Sequence, residues 1–505
     1  MPRTRPNHPP SLVVMTTFAE SPADILGRLA ELRAADAPTH GGHVLSYVYD
    51  SGLSELDELA ASAIRAVQPV NGLDPTTFTS VAALEREVIG FARELLNGDQ
   101  DVVGTVTTGG TESCLLAVKT ARDLWRAQHP DAVGRPRLLA PVTVHAAFQK
   151  AAHYFELDLE LVPVRSDGTV DAGALVDRLG DDVALVVVSA PSYPFATLDP
   201  VGAVAAVCAE REIALHVDAC IGGLVLPFWH VADGSELPAW DFRVPGVTSM
   251  SADLHKFGYA PKGASVLLQR GRDRQRAQFF ATTRWPGYPV VNSTLLGSKS
   301  AGPLAAAWAI TRALGRDGFA HLAASCERAT RSLVEAIDAI EGLRVLGEPV
   351  GPLFAVATDE SVAPERRVDP HHWADAVREL GWLLQQQPGY VQADRSVLPN
   401  TTHLTITPVT ESALPELIPA LIAGADAVRG VPRIDASGLV AALPLDGVGE
   451  LDSETAWAVL QGFGIGGSSG LPPKQAPLLA LIEALPAPIA ERLLIELIAR
   501  LAEPA

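Results

Sequence analysis

Between about residues 100 and 270 the chain alternates short runs rich in β-branched residues with segments of helical periodicity, and this alternation restricts the fold more than any other feature. The runs are Val102 to Thr107, Arg137 to Val144, Leu157 to Val164, Val183 to Ser189, Ile213 to Val217 and Ser265 to Gln269. Strands separated by helices predict an α/β fold with a mostly parallel sheet covered on both faces, and such sheets bind ligands beyond the carboxyl ends of their strands. The residues just after the runs are therefore the candidates for chemistry: Thr108-Gly-Gly-Thr-Glu-Ser113, His145, Ser192-Tyr193, Asp218 and His255-Lys256.

The rest of the chain divides around this core. Residues 1–85 read as an N-terminal arm with helices, broken at His40-Gly-Gly-His43, and Phe78 to Leu96 as a strongly amphipathic helix stopped by Asn97-Gly98. Residues 86–330 form the large domain. A long helical region from Pro303 to about Ile340 leads into a smaller α/β domain, 331–430, with strands predicted at Leu343 to Leu346, Leu353 to Ala357, Trp382 to Gln386 and His403 to Thr407. Beyond about Val431, proline and glycine punctuate two helical stretches, the last an apolar one over Ile489 to Leu501. Covering the protein is the ordinary use of such a helix; pairing subunits or touching a membrane surface are the alternatives.

Composition narrows the function. With 505 residues, 48% of them hydrophobic and 19% charged, the chain can fill several cores. A net charge of -20 argues against sequence-independent binding to nucleic acid or to an anionic membrane. The four cysteines, Cys114, Cys208, Cys220 and Cys326, are scattered, with no pair at metal-ligand spacing, and fit a reducing cytoplasm. The basic start, Met1 to Pro10, reads as a loose tail, with Met15 as an alternative start; the apolar run Leu12 to Met15 is too short for a signal-peptide core. No stretch approaches the ~20 apolar residues needed to span a bilayer.

Three motifs carry chemistry. Lys256 follows a histidine at the end of a short apolar run, and a lysine amine held in a partly desolvated pocket forms a Schiff base with an aldehyde cofactor. Thr107-Thr-Gly-Gly-Thr-Glu-Ser113 joins an apparent strand to a helix, where glycine admits an anion to free backbone amides; a plain strand-to-helix turn capped by Thr111 fits the spacing equally well. Asp218 follows an apolar strand, in the place of an acid that pairs with a pyridine nitrogen or simply caps a turn. Neither Walker A nor Gly-x-Gly-x-x-Gly is matched. The three together, at successive strand ends, are far more specific than any one.

Gly104 to Lys119, His145 to Tyr154, His216-Val-Asp-Ala-Cys220 and Ser251 to Gly263 resemble the signature blocks of the sphingosine-1-phosphate lyases, in the group II decarboxylase branch of fold-type I pyridoxal-phosphate enzymes. The resemblance runs in order from about Gly41 to about Phe319, less clearly through the small domain, and does not cover the tail after about residue 430. It implies pyridoxal 5'-phosphate as cofactor, Lys256 as the Schiff-base lysine and Asp218 as partner of the pyridine nitrogen. It further implies that His145 stacks on the ring, that Gly110, Thr111 and His255 hold the phosphate, and that Ser298 reaches the cofactor of a neighbouring subunit. Tyr49, Tyr193 and Lys262 match positions that handle the substrate, Tyr49 across a dimer interface.

Two departures stand out. The family's Gly-Ser-Arg-Pro-Gly loop is Gly297-Ser-Lys-Ser-Ala301 here, and Asn71-Gly-Leu-Asp-Pro75 carries Asp74 where relatives have a histidine that contacts the substrate phosphate. A carboxylate about 4 Å from a phosphate is repelled by several kcal/mol, so Asp74 predicts a preference for an unphosphorylated amine. The expected protein is a cytoplasmic homodimer with shared active sites that cleaves a β-hydroxy amine by retro-aldol chemistry. Amino-acid decarboxylation is the rival, and a cofactor-binding scaffold without turnover a third reading, whose signature would be loss of Lys256 or Asp218.

Overall fold

The computed structural model of the chain describes residues 18–231, 235–441, 451–462, 464–465 and 474–504. The chain separates into two compact units, Met1–Thr39 and His40–Ala505. The described part of the first holds one helix, α1 (Pro22–Arg33), whose N-cap Ser21 side chain accepts a hydrogen bond from the Asp24 amide. The expected basic tail lies outside the described residues.

In the second unit, α2 (Ser54–Val67) and α3 (Thr79–Leu95) precede the main sheet, both packing on a long later helix. The sheet has seven strands: β1 (Val102–Thr107), β2 (Arg137–Pro141), β3 (Asp158–Val162), β4 (Val183–Ser189), β5 (Ala214–Asp218), β6 (Ser249–Ala252) and β7 (Ser265–Arg270). Their order is β1-β7-β6-β5-β4-β2-β3. From β3 to β6 neighbours run parallel, and β7 runs against both β6 and β1. The fold is thus the expected mostly parallel sheet. β4, Val-Ala-Leu-Val-Val-Val-Ser, is buried along its whole length because a central strand is covered on both faces.

Within this sheet, the strand that periodicity did not show is β6. Its Ser-Met-Ser-Ala has little β propensity, and it is held by its neighbours: the His216 ring on β5 hydrogen-bonds Ser249 Oγ at 2.9 Å and Ser251 Oγ at 3.1 Å. Between the strands run α4 (Gly110–Gln128), α5 (Ala146–Phe155), α6 (Ala172–Val176) and α7 (Val201–Glu210), and α8 (Arg272–Gln278) follows β7. A hairpin, β8 (Phe280–Thr282) and β9 (Val290–Asn292), then leads to α9 (Gly302–Asp338). This long helix is interrupted at Gly315, whose φ of 53° a side chain would resist.

A second sheet, wholly antiparallel, orders β10 (Leu343–Val345), β11 (Leu353–Thr358), β15 (Thr401–Thr405) and β12 (Gln385–Gln387), with a small hairpin of β13 (Tyr390–Val391) and β14 (Val397–Leu398) beside it. Two strands are displaced from expectation. β12 begins three residues later than predicted, and β15 starts at Thr401 instead of His403. β15 reads Thr-Thr-His-Leu-Thr yet is entirely buried, and its two leading threonines, which carry no apolar signal, lie outside the predicted strand.

After α10 (Pro370–Glu379) and α11 (Thr410–Val428), the described residues of the tail form α12 (Ser437–Ala441), α13 (Ser453–Gly462), α14 (Ala476–Ala484) and α15 (Ala487–Leu501), four helices where two were expected. α13 and α15 share a small core through Ala456, Leu460, Leu493 and Leu497. The start of α14 is fixed to α10 by Asp375, whose carboxylate accepts from the amides of Gln475 and Ala476, each at 2.9 Å. Through α14 the tail packs against α10 and the β12 edge of the small sheet, while Ile495, Ile498 and Leu501 of α15 stay exposed. Among the described residues no helix is long and apolar enough to cross a membrane.

Candidate active site

A cavity of about 580 Å³ opens at the ends of β5 and β6, against the first turns of α4 and α5. Six of the residues chosen from sequence line it: Gly110, Thr111, His145, Asp218, His255 and Lys256. Asp218 is the last residue of β5, which is shifted one position C-terminal to the predicted strand, and register sets it between Ser189 on β4 and Ser251 on β6. Its Oδ1 accepts from the Cys220 amide at 3.1 Å and from Ser251 Oγ at 3.2 Å. Ser251 in turn meets His216, whose burial lowers its pKa to about 4 and keeps the ring neutral.

Lys256 Nζ stands 3.0 Å from Asp253 Oδ2. Burial disfavours the ammonium, but the nearby charges, Asp253 first, outweigh it and raise the Lys256 pKa well above its ordinary value. The same pair acts on Asp253: burial favours protonation, while Lys256 and His255 hold its carboxyl well below the usual carboxylate range. The amides of Gly263 and Ala264 donate to His255 Nδ1, which leaves the ring proton on Nε2, 3.6 Å from Asp253. His145 caps α5, its Nδ1 accepting from the Ala147 amide at 3.1 Å. Burial lowers its pKa, so a neutral ring faces the cavity.

The N-cap of α4 is Gly109; Thr111, the alternative cap, lies inside the first turn. A Cβ on Gly110 would stand 2.6 Å from Asp253 Oδ2 and 2.8 Å from Cys220 Sγ, so only glycine lets the helix start approach the lysine's partner this closely. Glu112 fastens the turn: one carboxylate oxygen accepts from the amide and hydroxyl of Thr108, the other from the Leu295 amide.

The other four chosen residues stand outside the cavity lining. Lys262 Nζ donates to the His255 carbonyl at 3.1 Å and sits 4.5 Å over the Tyr49 ring, while burial and the charge of Lys256 lower its pKa to about 8. Tyr49 also meets the edge of Phe257 at 5.2 Å, and burial raises its hydroxyl pKa to about 12. Tyr49, expected to act across a dimer interface, thus lies beside the lysines of its own chain, on a segment tied back by the bridge between Val44 and Leu383. Tyr193 stacks on His403 at 4.3 Å and donates to Gln385 Oε1 at 2.5 Å. Ser298 accepts from Asn71 Nδ2 at 3.1 Å, on the loop that follows β9.

Asp74 is also away from the cavity. Both its oxygens are taken by the hydroxyls of Thr76 and Thr77, at 2.6 and 2.7 Å, and their amides add two more bonds. The carboxylate stays ionised in this turn, and what the structure shows of the expected clash with a substrate phosphate is that Asp74 does not line the cavity. Sequence reasoning assigned no role to Asp253, although it stood inside the block around Lys256 at i,i+3 spacing. It could not find the sulfur pair at all: Cys114, Cys220 and Asp218 bring ligand-type atoms within 4.8 Å of one another from segments about 100 residues apart.

Residues 59–355 match the pyridoxal-dependent decarboxylase conserved domain, and residues 435–500 match a putative HTH domain found at the C-terminus of pyridoxal-dependent enzymes. The latter match covers the tail for which no resemblance was seen. A sphingosine-1-phosphate lyase of Dictyostelium discoideum is 38% identical over 311 residues, 61% of this chain and 58% of its own length. A probable L-tyrosine/L-aspartate decarboxylase of Methanothermobacter thermautotrophicus is 32% identical over 62% of this chain and 81% of its own. The solved structure of a sphingosine-1-phosphate lyase from Burkholderia pseudomallei superposes with a TM-score of 0.73 at 31% identity, covering 86% of this chain and 97% of that one. The chain spans about three fifths of the length of the first curated relatives it matches.

Proposed function

The chain belongs to the pyridoxal-dependent decarboxylase family, in its sphingosine-1-phosphate lyase-like branch, and on that premise we propose that it cleaves a β-hydroxy amine into an aldehyde and a smaller amine. The observation that carries this reading is the Lys262–Tyr49 pair beside Lys256, which puts a proton-accepting amine next to the lysine that holds the cofactor.

The residues present fit pyridoxal phosphate: a buried amine, an acid at the end of a strand, and a glycine helix start whose missing Cβ leaves the approach open. When bound, the cofactor supplies an electron sink for the charge left on carbon as the bond breaks. Lys256 would hold the cofactor through its amine, and Asp218 would keep a proton at the ring nitrogen. Gly110, Thr111 and His255 would hold the phosphate, and His145 would support the ring. Lys262 Nζ takes the proton of the β-hydroxyl, an assignment suited to a group whose pKa is about 8, with Tyr49 fixing its position and Tyr193 closing the substrate side.

Decarboxylation of an amino acid is the second reading, supported by the Methanothermobacter relative. Incubating the cofactor-loaded protein with β-hydroxy amines and with amino acids separates the two. Aldehyde release supports the lyase reading; carbon dioxide from an amino acid, without aldehyde from any amino alcohol, overturns it.

The exposed apolar residues Phe280, Val291, Leu295 and Leu296 lie on the β8–β9 hairpin and the loop leading to Ser298. Surfaces of this kind mark association sites, which supports a homodimer in which Ser298 contributes to the neighbour's cofactor site. Light scattering should then give twice 53.2 kDa. Four buried free thiols fit a reducing cytoplasm.

A further inference from the structure

Lys150 and Tyr154 occupy one wall of the cavity, an i,i+4 pair on α5, the helix that His145 caps. The chain has six lysines. Among the described residues five of them have a polar partner: Lys119 meets Asp123, Lys256 Asp253, Lys474 Glu379, Lys262 the His255 carbonyl and Lys299 the Thr294 hydroxyl. Lys150 has none. Its one contact is the face of Tyr154, 5.3 Å from Nζ to the ring centroid, which steadies an ammonium without neutralising it.

An unneutralised cation on the wall of a ligand cavity, in a chain of net charge -20, is placed to meet an anion that the protein itself does not supply. Asp74, the carboxylate that sequence suggested would oppose such an anion, is taken up by Thr76 and Thr77 and does not line the cavity. The same cavity is also lined by Leu295 and Leu296, both about half exposed.

We propose that Lys150 is an anion-binding residue of this cavity, recognising a phosphate or carboxylate on the bound ligand, with Tyr154 holding its ammonium in place. The inference rests on the reading of the cavity as a cofactor and amine site. Two sources supply the anion: the substrate's own charged end, or the phosphate of the cofactor.

The test compares wild type with Lys150→Gln and Lys150→Arg. Cofactor affinity is titrated by absorbance on the apoprotein. The affinities for the phosphorylated and unphosphorylated forms of one long-chain amino alcohol are read on the loaded protein from the absorbance of the cofactor, without turnover. We expect Lys150→Gln to weaken the phosphorylated form by about tenfold or more, with the unphosphorylated form unchanged and Lys150→Arg close to wild type. A similar loss confined to cofactor affinity assigns the anion to the cofactor phosphate. No change in any of these affinities, or equal losses in the Gln and Arg variants, overturns the proposal. Because both affinities are read as binding, a protein that binds these amines but releases no aldehyde sinks the lyase reading while leaving the role of Lys150 decided.

Discussion

Lys256 Nζ lies 3.0 Å from the carboxylate of Asp253, three residues earlier in the chain, and this ion pair sets the state of the amine that the cofactor must find. An amine forms a Schiff base from its neutral form, whereas Asp253 stabilises the ammonium against the opposing effect of burial.

Removing that carboxylate should therefore ease cofactor capture at low pH. In Asp253→Asn, burial acts without its main counterweight, and the pKa of Lys256 falls. The pH profile of pyridoxal phosphate addition to the apoprotein, followed by absorbance, should shift to the acid side of wild type. An unshifted profile would mean that Asp253 does not control the amine.

Asp218→Asn should still load the cofactor, since Lys256 and the α4 turn are untouched, but lose at least about a hundredfold in kcat because the ring nitrogen is no longer kept protonated. Ser251 Oγ and the Cys220 amide would still find an acceptor in the amide oxygen, so the fold should survive. Turnover near the wild-type level would remove Asp218 from the chemistry.

Lys262 gives the pH dependence a sign. Its pKa is lowered to about 8 by burial and by Lys256, so the neutral, proton-accepting form grows as pH rises through that value. Activity should climb from pH 7 to 9 with a midpoint near 8. Lys262→Arg keeps the charge over the Tyr49 ring but has no neutral form in this range, so it should be slow throughout and lack the limb. A wild-type profile that is flat or falling across this window excludes the base role.

Asp74→Ala should leave the preference between phosphorylated and unphosphorylated amines unchanged, because this carboxylate is held in its turn by Thr76 and Thr77 and does not line the cavity. It should instead lower the melting temperature slightly, through loss of the turn before α3. A marked gain for the phosphorylated amine would show that Asp74 turns toward the substrate.

Local rules were enough to find most of this cavity. A glycine pair between strand and helix, an acid at the end of an apolar strand and a lysine after a histidine are each written in a few consecutive residues, and the strand alternation orders them on one sheet edge. The sequence by itself thus determined the α/β class and the residues gathered at the strand ends. Contacts between distant segments are another matter. That Cys114 meets Cys220, and that Asp218 is braced by Ser251, follows from the β5–β6 register and the approach of α4, neither of which has a local signal. Tyr49 and Asp74 show the same limit, since a motif names the residue while chain path and nearby donors fix where its side chain is used. β6 is a short strand of low β propensity that exists because its neighbours pair with it, and the first two residues of β15 are threonines brought into the sheet by pairing, so only the tertiary structure could place β6 and the start of β15.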